Sequence, residues 1–324
     1  MKRQRVRIAT AAEIPHSQTL RHAASVAPPI RRPRDRGAAA LPYTHAVPQI
    51  HPSAVIQGDV QLADDVRIGP GCVLFGPVAL GKGCELIANA CLHGPLRMGE
   101  RNILYPSAAI GFAPQDIGFD RNTPGAGCVI GNGNTFREGV TIHRGKTDQP
   151  TQIGNDNYWM AFSHAGHDAI VGSNCIFGNS TLIAGHVEVA DRVISGGNVS
   201  IHQFVRLGRG VFISGAMATS LDVPPFFMVT GNNIAASLNL VGMRRSGMSR
   251  DQIDTVRWVY RTVMRSGLPP KAALVSLRER AGDPLVDEYI RFIETAKRPI
   301  IHGTGRAARG AVSEAAAVGD GASE

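Results

Sequence analysis

The sequence predicts an all-β parallel β-helix of hexapeptide repeats, followed by a small C-terminal α-helical domain. The first observation is an aliphatic residue at nearly every sixth position from Ile50 almost to Pro224, with two interruptions. The second is that the fifth position of each hexad is usually a small residue. An α-helix repeats about every 3.6 residues and a strand every two, so a lasting period of six indicates stacked six-residue turns.

Three hexads form one coil with a triangular cross-section, in which the first and fifth positions point inward. Consecutive coils stack about 4.8 Å apart. Residues one coil apart, or about 18 residues in unbroken sequence, therefore lie side by side. This register predicts which side chains meet.

The repeat divides the chain into four parts. Residues 1–49 form a basic extension, residues 50–223 the β-helix, residues 224–302 the helical domain and residues 303–324 a tail rich in glycine and alanine. We expect the extension and the tail to be disordered, because their composition offers little to a packed core. Two loops, at about 112–129 and 146–151, interrupt the repeat, and long loops on a rigid scaffold often carry binding groups.

The helical domain has clear start and stop signals. Ser249 and Gln252 have the spacing of a capping box, and Gly267 follows the apolar stripe that begins there. A second helix is predicted near Pro270. A third is predicted after Asp283, where the next residue is a proline suited to the first helical position.

Charge and composition exclude several classes of function. Residues 1–49 hold nine Lys/Arg against two acidic residues, which accounts for +7 of the formal net charge of +8. Binding of the main domain to nucleic acid therefore has little support from charge. No apolar run approaches the roughly 18 residues of a membrane span, and the extension lacks the apolar stretch of a secretory signal. We expect a cytoplasmic protein.

The five cysteines have no CxxC pair, which disfavours a zinc or redox motif and fits a reducing compartment. Cys72, Cys84 and Cys175 fall at fifth positions of hexads, where they serve as small core residues.

Five of the eleven histidines lie within residues 143–202, and none occupies an inward position. The register places Gly185 one coil from His167. With five extra residues assigned to the second loop, it also places His143 beside Gly166. The predicted histidine column, flanked by Asp168 and with His164 at the preceding corner, comprises His143, His167, Gly185/His186 and His202.

Three interpretations of this column remain open from the residues alone. It can be a proton-transfer site in which Asp168 orients His167. It can hold zinc, as in the γ-class carbonic anhydrases, although no set resembles a closed three-histidine site, so we predict no metal. It can also be a group of surface or interface histidines, and a catalytically silent scaffold would need nothing more.

Several motifs in order along the chain resemble those of the UDP-N-acetylglucosamine O-acyltransferase family, over about residues 48–300. The motifs are PQD (Pro114–Asp116), TIHRG (Thr141–Gly145), HAGHD (His164–Asp168), IAGH (Ile183–His186), IHQF (Ile201–Phe204) and DVPPF (Asp222–Phe226). The resemblance implies a left-handed winding of the β-helix and a homotrimer with sites between subunits. It also implies transfer of a 3-hydroxyacyl group from acyl carrier protein to the 3-hydroxyl of the sugar nucleotide, the first acylation of lipid A synthesis.

The resemblance also implies roles for individual residues. His167 would be the general base, Asp168 its orienting partner and the Gly185 N–H the oxyanion donor. Gly215 would lie at the end of the acyl groove, where a glycine leaves room for a longer chain. The residues that would bind substrate are Gln115, Asp116, His143, His164, His186, His202, Gln203, Asn239 and Arg245. No cofactor is implied, because the carrier-protein thioester is already activated.

Three positions depart from the family pattern, all in the recognition of the nucleotide sugar. Gly118 stands where a lysine is usual, with Arg121 as the nearest cation in sequence. Val241 replaces a glutamate, and Ser246 replaces the second of two arginines. An acyltransferase with another acceptor, or with acyl-coenzyme A as donor, therefore remains an alternative.

Overall fold

The computed structural model describes residues 7–8 and 47–303. It is a parallel β-helix followed by a helical domain, which confirms the predicted fold class. Most of the predicted basic extension and nearly all of the predicted tail lie outside the described residues.

Three parallel sheets form the faces of the β-helix. The first sheet comprises Arg7–Ile8, Val60–Leu62, Val78–Leu80, Leu96–Met98, Cys128–Ile130, Thr151–Ile153, Ile170–Val171, Glu188–Val189 and Arg206–Leu207. The second comprises Gln49–Ile50, Arg67–Ile68, Glu85–Leu86, Ile103–Leu104, Thr135–Phe136, Tyr158–Trp159, Ile176–Phe177, Ile194–Ser195, Phe212–Ile213, Phe227–Gly231 and Ile234–Leu238. The third comprises Val55–Gln57, Val73–Phe75, Cys91–His93, Ala109–Phe112, Thr141–His143, His164–Ala165, Leu182–Ile183, Ser200–Ile201 and Ala218–Thr219.

The register of the sheets follows the six-residue repeat. Leu182 of the third sheet pairs with Ser200, a separation of one uninterrupted coil. Across the second loop Thr141 pairs with His164, which confirms that this loop adds five residues to a coil. The first loop spans residues 113–127, between the strands Ala109–Phe112 and Cys128–Ile130.

The core is a column of inward side chains from the first and fifth positions of the hexads. Fifth-position residues such as Val66, Cys72 and Val193 are fully buried, as predicted. A ladder of buried amides was not predicted: three consecutive coils place Asn102, Asn134 and Asn157 at this position. The Asn134 Nδ2 donates to Asn102 Oδ1 and to the Gly154 carbonyl, at 2.9 Å each.

The C-terminal domain begins with an antiparallel hairpin of the strands Phe227–Gly231 and Ile234–Leu238, which extends the second sheet. Four helices follow within the described residues: α1 (Leu240–Arg245), α2 (Arg250–Met264), α3 (Pro270–Arg278) and α4 (Pro284–Glu294). The sequence analysis did not predict the hairpin or α1.

The other three helices begin where the sequence predicts. The capping box of Ser249 and Gln252 is formed at the start of α2. The Asp283 carboxylate accepts a hydrogen bond from the Leu285 N–H at the start of α4. Cap side chains thus satisfy backbone donors that have no partner within the helix.

Polar contacts dock the helical domain on the last coils. The Arg206 Nη2 donates to the Phe292 carbonyl at 2.8 Å, and the Arg209 Nε donates to the Glu288 carboxylate at 2.7 Å. None of the helices in the described part of the chain is long and apolar enough to cross a membrane.

Candidate active site

An imidazole–carboxylate pair lies at the corner where the third sheet leads into the first. The His167 Nδ1 is 2.6 Å from Asp168 Oδ2, and both side chains are buried. Asp168 has a positive φ of 58°, a turn conformation that aspartate tolerates better than most residues. With Nδ1–H donating to the carboxylate, Nε2 is left as the basic atom of the ring.

Backbone and hydroxyl donors from the second loop hold the Asp168 carboxylate. Its Oδ1 accepts from the Thr147 N–H at 3.0 Å and from the Thr147 hydroxyl at 2.6 Å, while Oδ2 also accepts from the Lys146 N–H at 3.1 Å. Burial disfavours the charged form, but the hydrogen bonds from Thr147, His167 and Lys146 outweigh it and hold the pKa of Asp168 below its ordinary value. The carboxylate therefore stays ionised and fixes the His167 ring.

Gly185 faces the His167 ring from the next coil. The His186 N–H donates to the His167 carbonyl at 2.9 Å, which sets the two corners side by side as predicted. A Cβ atom added at Gly185 would lie 2.9 Å from both Cε1 and Nε2 of His167. The Gly185 N–H forms no hydrogen bond with the residues that the structure describes. This corner therefore offers a basic nitrogen and an uncommitted N–H donor close together.

The rings of four of the predicted histidines meet in two pairs. The rings of His143 and His164 are 5.3 Å apart, and those of His167 and His186 are 5.0 Å apart. His202 is exposed, and its ring Nδ1 donates to the Gln203 carbonyl at 3.2 Å. Thr141 pairs with His164 and Ile142 with Ala165, so His143 aligns with Gly166, as predicted.

Three of these histidines have a lowered pKa. Burial, together with the neighbouring His143 and His167, lowers the pKa of His164 to about 4. Burial is also the main cause of the lowered pKa values of His143 and His186. These rings are therefore neutral near pH 7 and can serve as hydrogen-bonding groups.

An open groove of about 690 Å³ runs along the outward face of the third sheet beside this corner. His167 itself does not line the groove, although Ala184, the residue before Gly185, does. The lining residues include Gln115, Thr141, Phe162, His164, Leu182, Ala184, Ser200, His202, Ala218 and Asn232. Its lining combines polar side chains such as Gln115, His164 and Asn232 with the apolar Phe162 and Leu182.

The first loop brings the PQD motif to the groove. Gln115 lines the groove, and the Asp116 Oδ2 accepts from the Lys146 ammonium at 2.6 Å. That bond from Lys146, with one from the Gly118 N–H, lowers the pKa of Asp116. Arg121 has no described contact with Asp116. Sequence reasoning missed Lys146 and Thr147, although both follow directly on the TIHRG motif that it singled out.

Gln203 is half-buried at the same corner, one coil beyond Gly185. The other predicted site residues lie elsewhere in the single chain. Asn239 is buried and caps α1, accepting from the Gly242 N–H at 2.8 Å, while Arg245 is exposed on the last turn of that helix. Gly215 lies on the turn that enters the third sheet, at the opposite edge from His167, where a Cβ would come no closer than 3.3 Å to the Gly197 carbonyl.

His167, Asp168 and His186 could also be considered as metal ligands, since their ligand atoms lie within 4.8 Å of one another. However, both Asp168 oxygens already accept hydrogen bonds from His167, Lys146 and Thr147. A carboxylate has about four acceptor positions, so little capacity remains for a cation. The donor set fits an oriented base better than a metal centre.

The repeat and the site define the class of the protein. The family described as bacterial transferase hexapeptide (six repeats) matches residues 150–185, the coils that carry His167 and Gly185. The chain is thus related to the transferases built of hexapeptide repeats.

The particular family follows from longer matches. The second domain of UDP N-acetylglucosamine O-acyltransferase matches residues 222–301. An acyl-[acyl-carrier-protein]–UDP-N-acetylglucosamine O-acyltransferase of Stenotrophomonas maltophilia is 41% identical over 263 residues, covering 80% of this chain and 99% of the relative. One from Stutzerimonas stutzeri is 43% identical over 235 residues, covering 72% and 90%.

A solved structure agrees with these relatives. The UDP-N-acetylglucosamine acyltransferase of Campylobacter jejuni superposes with a TM-score of 0.74 at 36% identity, covering 78% of this chain and 99% of that one. The chain belongs to the UDP-N-acetylglucosamine O-acyltransferase family, as the motifs predicted.

Proposed function

We propose that this protein transfers a 3-hydroxyacyl group from acyl carrier protein to the 3-hydroxyl of UDP-N-acetylglucosamine, the first acylation of lipid A synthesis. The names of the relatives support both substrates. The observation that carries the proposal is the buried His167–Asp168 pair facing the uncommitted Gly185 N–H. Acyl transfer needs a base and an oxyanion donor on the same reacting carbonyl.

The proposed reaction is direct. The His167 Nε2 takes the proton of the sugar hydroxyl, and the oxygen attacks the thioester carbonyl. The Gly185 N–H stabilises the negative charge on the tetrahedral intermediate, a contribution of roughly 10²–10³ in rate for one such donor. As the intermediate collapses, the carbon–sulfur bond breaks and the protonated His167 returns its proton to the leaving thiolate. Because the thioester is already activated, no cofactor or metal enters this scheme.

The histidines and loop residues around the corner would bind the acceptor and the donor arm. We assign Gln115, Asp116, His143, His164, His186, His202 and Gln203 to these contacts. The neutral state of His164 and its position on the groove suit hydrogen bonding to a sugar or to pantetheine. Asn239 and Arg245 are assigned to the nucleotide end.

We infer a homotrimer in which a second copy covers the groove. Phe162, Leu182 and Phe204 lie at or beside the groove with 65%, 47% and 50% of their surfaces exposed. Apolar side chains grouped in this way are typical of a protein interface. A mass measurement by light scattering during gel filtration tests the inference, and a monomeric mass for active protein would contradict it. We also assign the protein to the cytoplasm, where its proposed substrates are made.

Gly215 is assigned to the end of the acyl groove, as the family resemblance implies. A Cβ there would meet the Gly197 carbonyl at 3.3 Å and the Gly197 nitrogen at 3.7 Å and no other residue, which supports a turn with space for a longer chain. The chain-length preference of a Gly215→Met variant tests this assignment, and an unchanged preference would contradict it.

The first experiment offers purified protein a 3-hydroxyacyl–acyl carrier protein together with UDP-N-acetylglucosamine, with the products read by mass spectrometry. An O-acylated sugar nucleotide is expected. If the thioester is consumed only with a different nucleotide sugar, the changes at Gly118, Val241 and Ser246 define another acceptor. If neither substrate is consumed by folded protein, the proposed function is wrong.

Replacement of the base is the matching test at the site. His167→Ala should reduce kcat by at least 10³-fold, because the atoms nearest a Cβ built at Gly185 all belong to His167. The exposed His51, far along the solenoid, provides a control as His51→Ala, which should retain full activity. Substantial turnover by the His167→Ala variant would remove His167 as the base.

A further inference from the structure

Arg144 is a buried cation without an acidic partner. The residue is 2% exposed, and its guanidinium forms no ion pair with the residues that the structure describes. Its Nε is buried without a hydrogen-bond partner. Buried charges are normally paired, and each unsatisfied buried group calls for a reason. Burial of Arg144 at this place therefore costs folding free energy.

The guanidinium bonds to backbone carbonyls of the first loop and of the strand before it, instead of to a carboxylate. Its Nη2 donates to the Arg121 carbonyl at 3.0 Å and to the Thr123 carbonyl at 2.9 Å, and its Nη1 donates to the Gly111 carbonyl at 3.2 Å. The guanidinium carbon also lies 5.7 Å from the centre of the Phe119 ring. One side chain thus joins the start of the loop to its distal half.

Other contacts hold the two ends of this loop and, through the Lys146 ammonium, Asp116. The His143 ring bonds to the Ala113 carbonyl, and the Gly145 and Thr151 N–H groups both donate to the Gly127 carbonyl. Around the middle, the backbone bonds of Phe119 and Thr123 run to Asp116 and Asp120 inside the loop itself. The carbonyls of Arg121 and Thr123 are attached to the body of the protein through Arg144.

We propose that Arg144 is a positioning residue that holds the loop of residues 113–127 in the conformation that presents Gln115 and Asp116 to the acceptor. The proposal rests on the proposed function for its kinetic consequence, but its structural part does not depend on activity. By fixing the chain that follows Gln115 and Asp116, Arg144 keeps Gln115 at the groove and Asp116 in contact with Lys146. It need not touch either substrate.

Limited proteolysis tests the clamp directly. Arg121 is the only lysine or arginine in residues 113–127, and its carbonyl, which belongs to the bond that trypsin cuts, is bound by Arg144. In Arg144→Met we expect cleavage after Arg121 to rise at least tenfold over wild type, with the circular dichroism spectrum retained. Arg137→Met is the matched control, because Arg137 bonds Glu138 and Tyr158 and none of the loop. Its cleavage after Arg121 should match wild type.

Arg144→Lys covers the case in which Arg144→Met does not fold. A lysine keeps the charge, but one ammonium group cannot reproduce the fork that reaches Gly111 and both loop carbonyls. We expect cleavage intermediate between wild type and Arg144→Met. Wild-type protection of the Arg121–Asn122 bond in whichever variant folds would overturn the proposal.

Steady-state kinetics give the functional readout. The KM for the acceptor should rise about tenfold or more in Arg144→Met, with the KM for the acyl carrier protein thioester unchanged and kcat reduced less. Equal losses for both substrates, or none, would overturn the positioning role. If wild type has no transferase activity, the proposed function fails, whereas the proteolysis result still decides whether Arg144 clamps the loop.

Discussion

At the scale of single residues, the site depends on the lack of a side chain at Gly185 as much as on the imidazole of His167. The imidazole ring occupies the space where a side chain at 185 would begin, with 2.9 Å to both Cε1 and Nε2. Asp168 then fixes the ring from the other side at 2.6 Å. The ring lies between the Asp168 carboxylate and Gly185, and these contacts fix the direction in which its Nε2 points.

Gly185→Ala should therefore reduce kcat more than 100-fold with little loss of stability. The new methyl group would push the His167 ring away from the reacting position, and a displacement of about 1 Å can cost about 10² in rate. Gly197→Ala is a milder control, since its nearest contact would be the Asn179 carbonyl at 3.3 Å. Activity close to wild type in Gly185→Ala would mean that the ring does not work from its present position.

The lowered pKa of His164 predicts a loss of stability in acid. The folded protein takes up a proton at His164 only near pH 4, whereas the unfolded chain does so near its ordinary value of 6.5. The unfolded state therefore binds more protons between these values, and stability falls as the pH falls through that window, by at most about 3 kcal/mol. His143 and His186 shift in the same direction.

Urea unfolding of wild type and of His164→Gln between pH 7 and pH 4 measures this effect. The variant should lose less stability than wild type across the window, while the exposed-site variant His51→Gln should follow wild type. Parallel curves for wild type and His164→Gln would show that His164 is not the group responsible.

At the scale of elements, the coils under the site are joined by an amide ladder inside an otherwise apolar core. Asn134 lies at its centre, with its Oδ1 accepting from the Asn157 N–H at 3.0 Å and its Nδ2 bonding the coil on each side. The ladder continues to Cys175, whose N–H donates to Asn157 Oδ1 at 2.8 Å. Side-chain amides here supply hydrogen bonds to corner groups of the backbone that would otherwise be buried unpaired.

Asn134→Val should destabilise the protein by about 2–4 kcal/mol, because it leaves the Asn157 N–H and the Gly154 carbonyl without these partners in a dry core. Cys175→Val places the same side chain at the equivalent position two coils on and should cost less than about 1.5 kcal/mol. The difference is measured by denaturant unfolding of both variants. Equal costs would show that the amide bonds contribute no more than packing does.

At the scale of the whole molecule, the first coil of the β-helix lies far from the candidate active site. Arg7–Ile8 pairs in parallel with Val60–Leu62, where the first sheet would otherwise present an open edge. The strand Ile170–Val171, next to the His167 corner, lies five strands beyond Val60–Leu62 in the same sheet. Since each coil contacts mainly its neighbours, events at the first coil are weakly coupled to the site.

Deletion of residues 1–46 should therefore leave transferase activity and assembly size unchanged while it weakens the first coil. Hydrogen exchange read by mass spectrometry should show faster exchange at Val60–Leu62, because an uncovered edge leaves amides open to water. Unchanged exchange would argue against the Arg7–Ile8 strand. Lost activity would contradict the separation of the two ends.

The six-residue repeat by itself determined the β-helix, the inward positions and the pairing of His167 with Gly185. The reason is that a residue's place in the repeat fixes both the direction of its side chain and its neighbour in the next coil. The caps of α2 and α4 were likewise local and correctly predicted. Tertiary structure alone decided which loop residues reach the site. The Thr147 and Lys146 bonds to Asp168, the Lys146–Asp116 pair and the Arg144 clamp depend on how two irregular loops fold against each other, and no periodic pattern in the sequence specifies that.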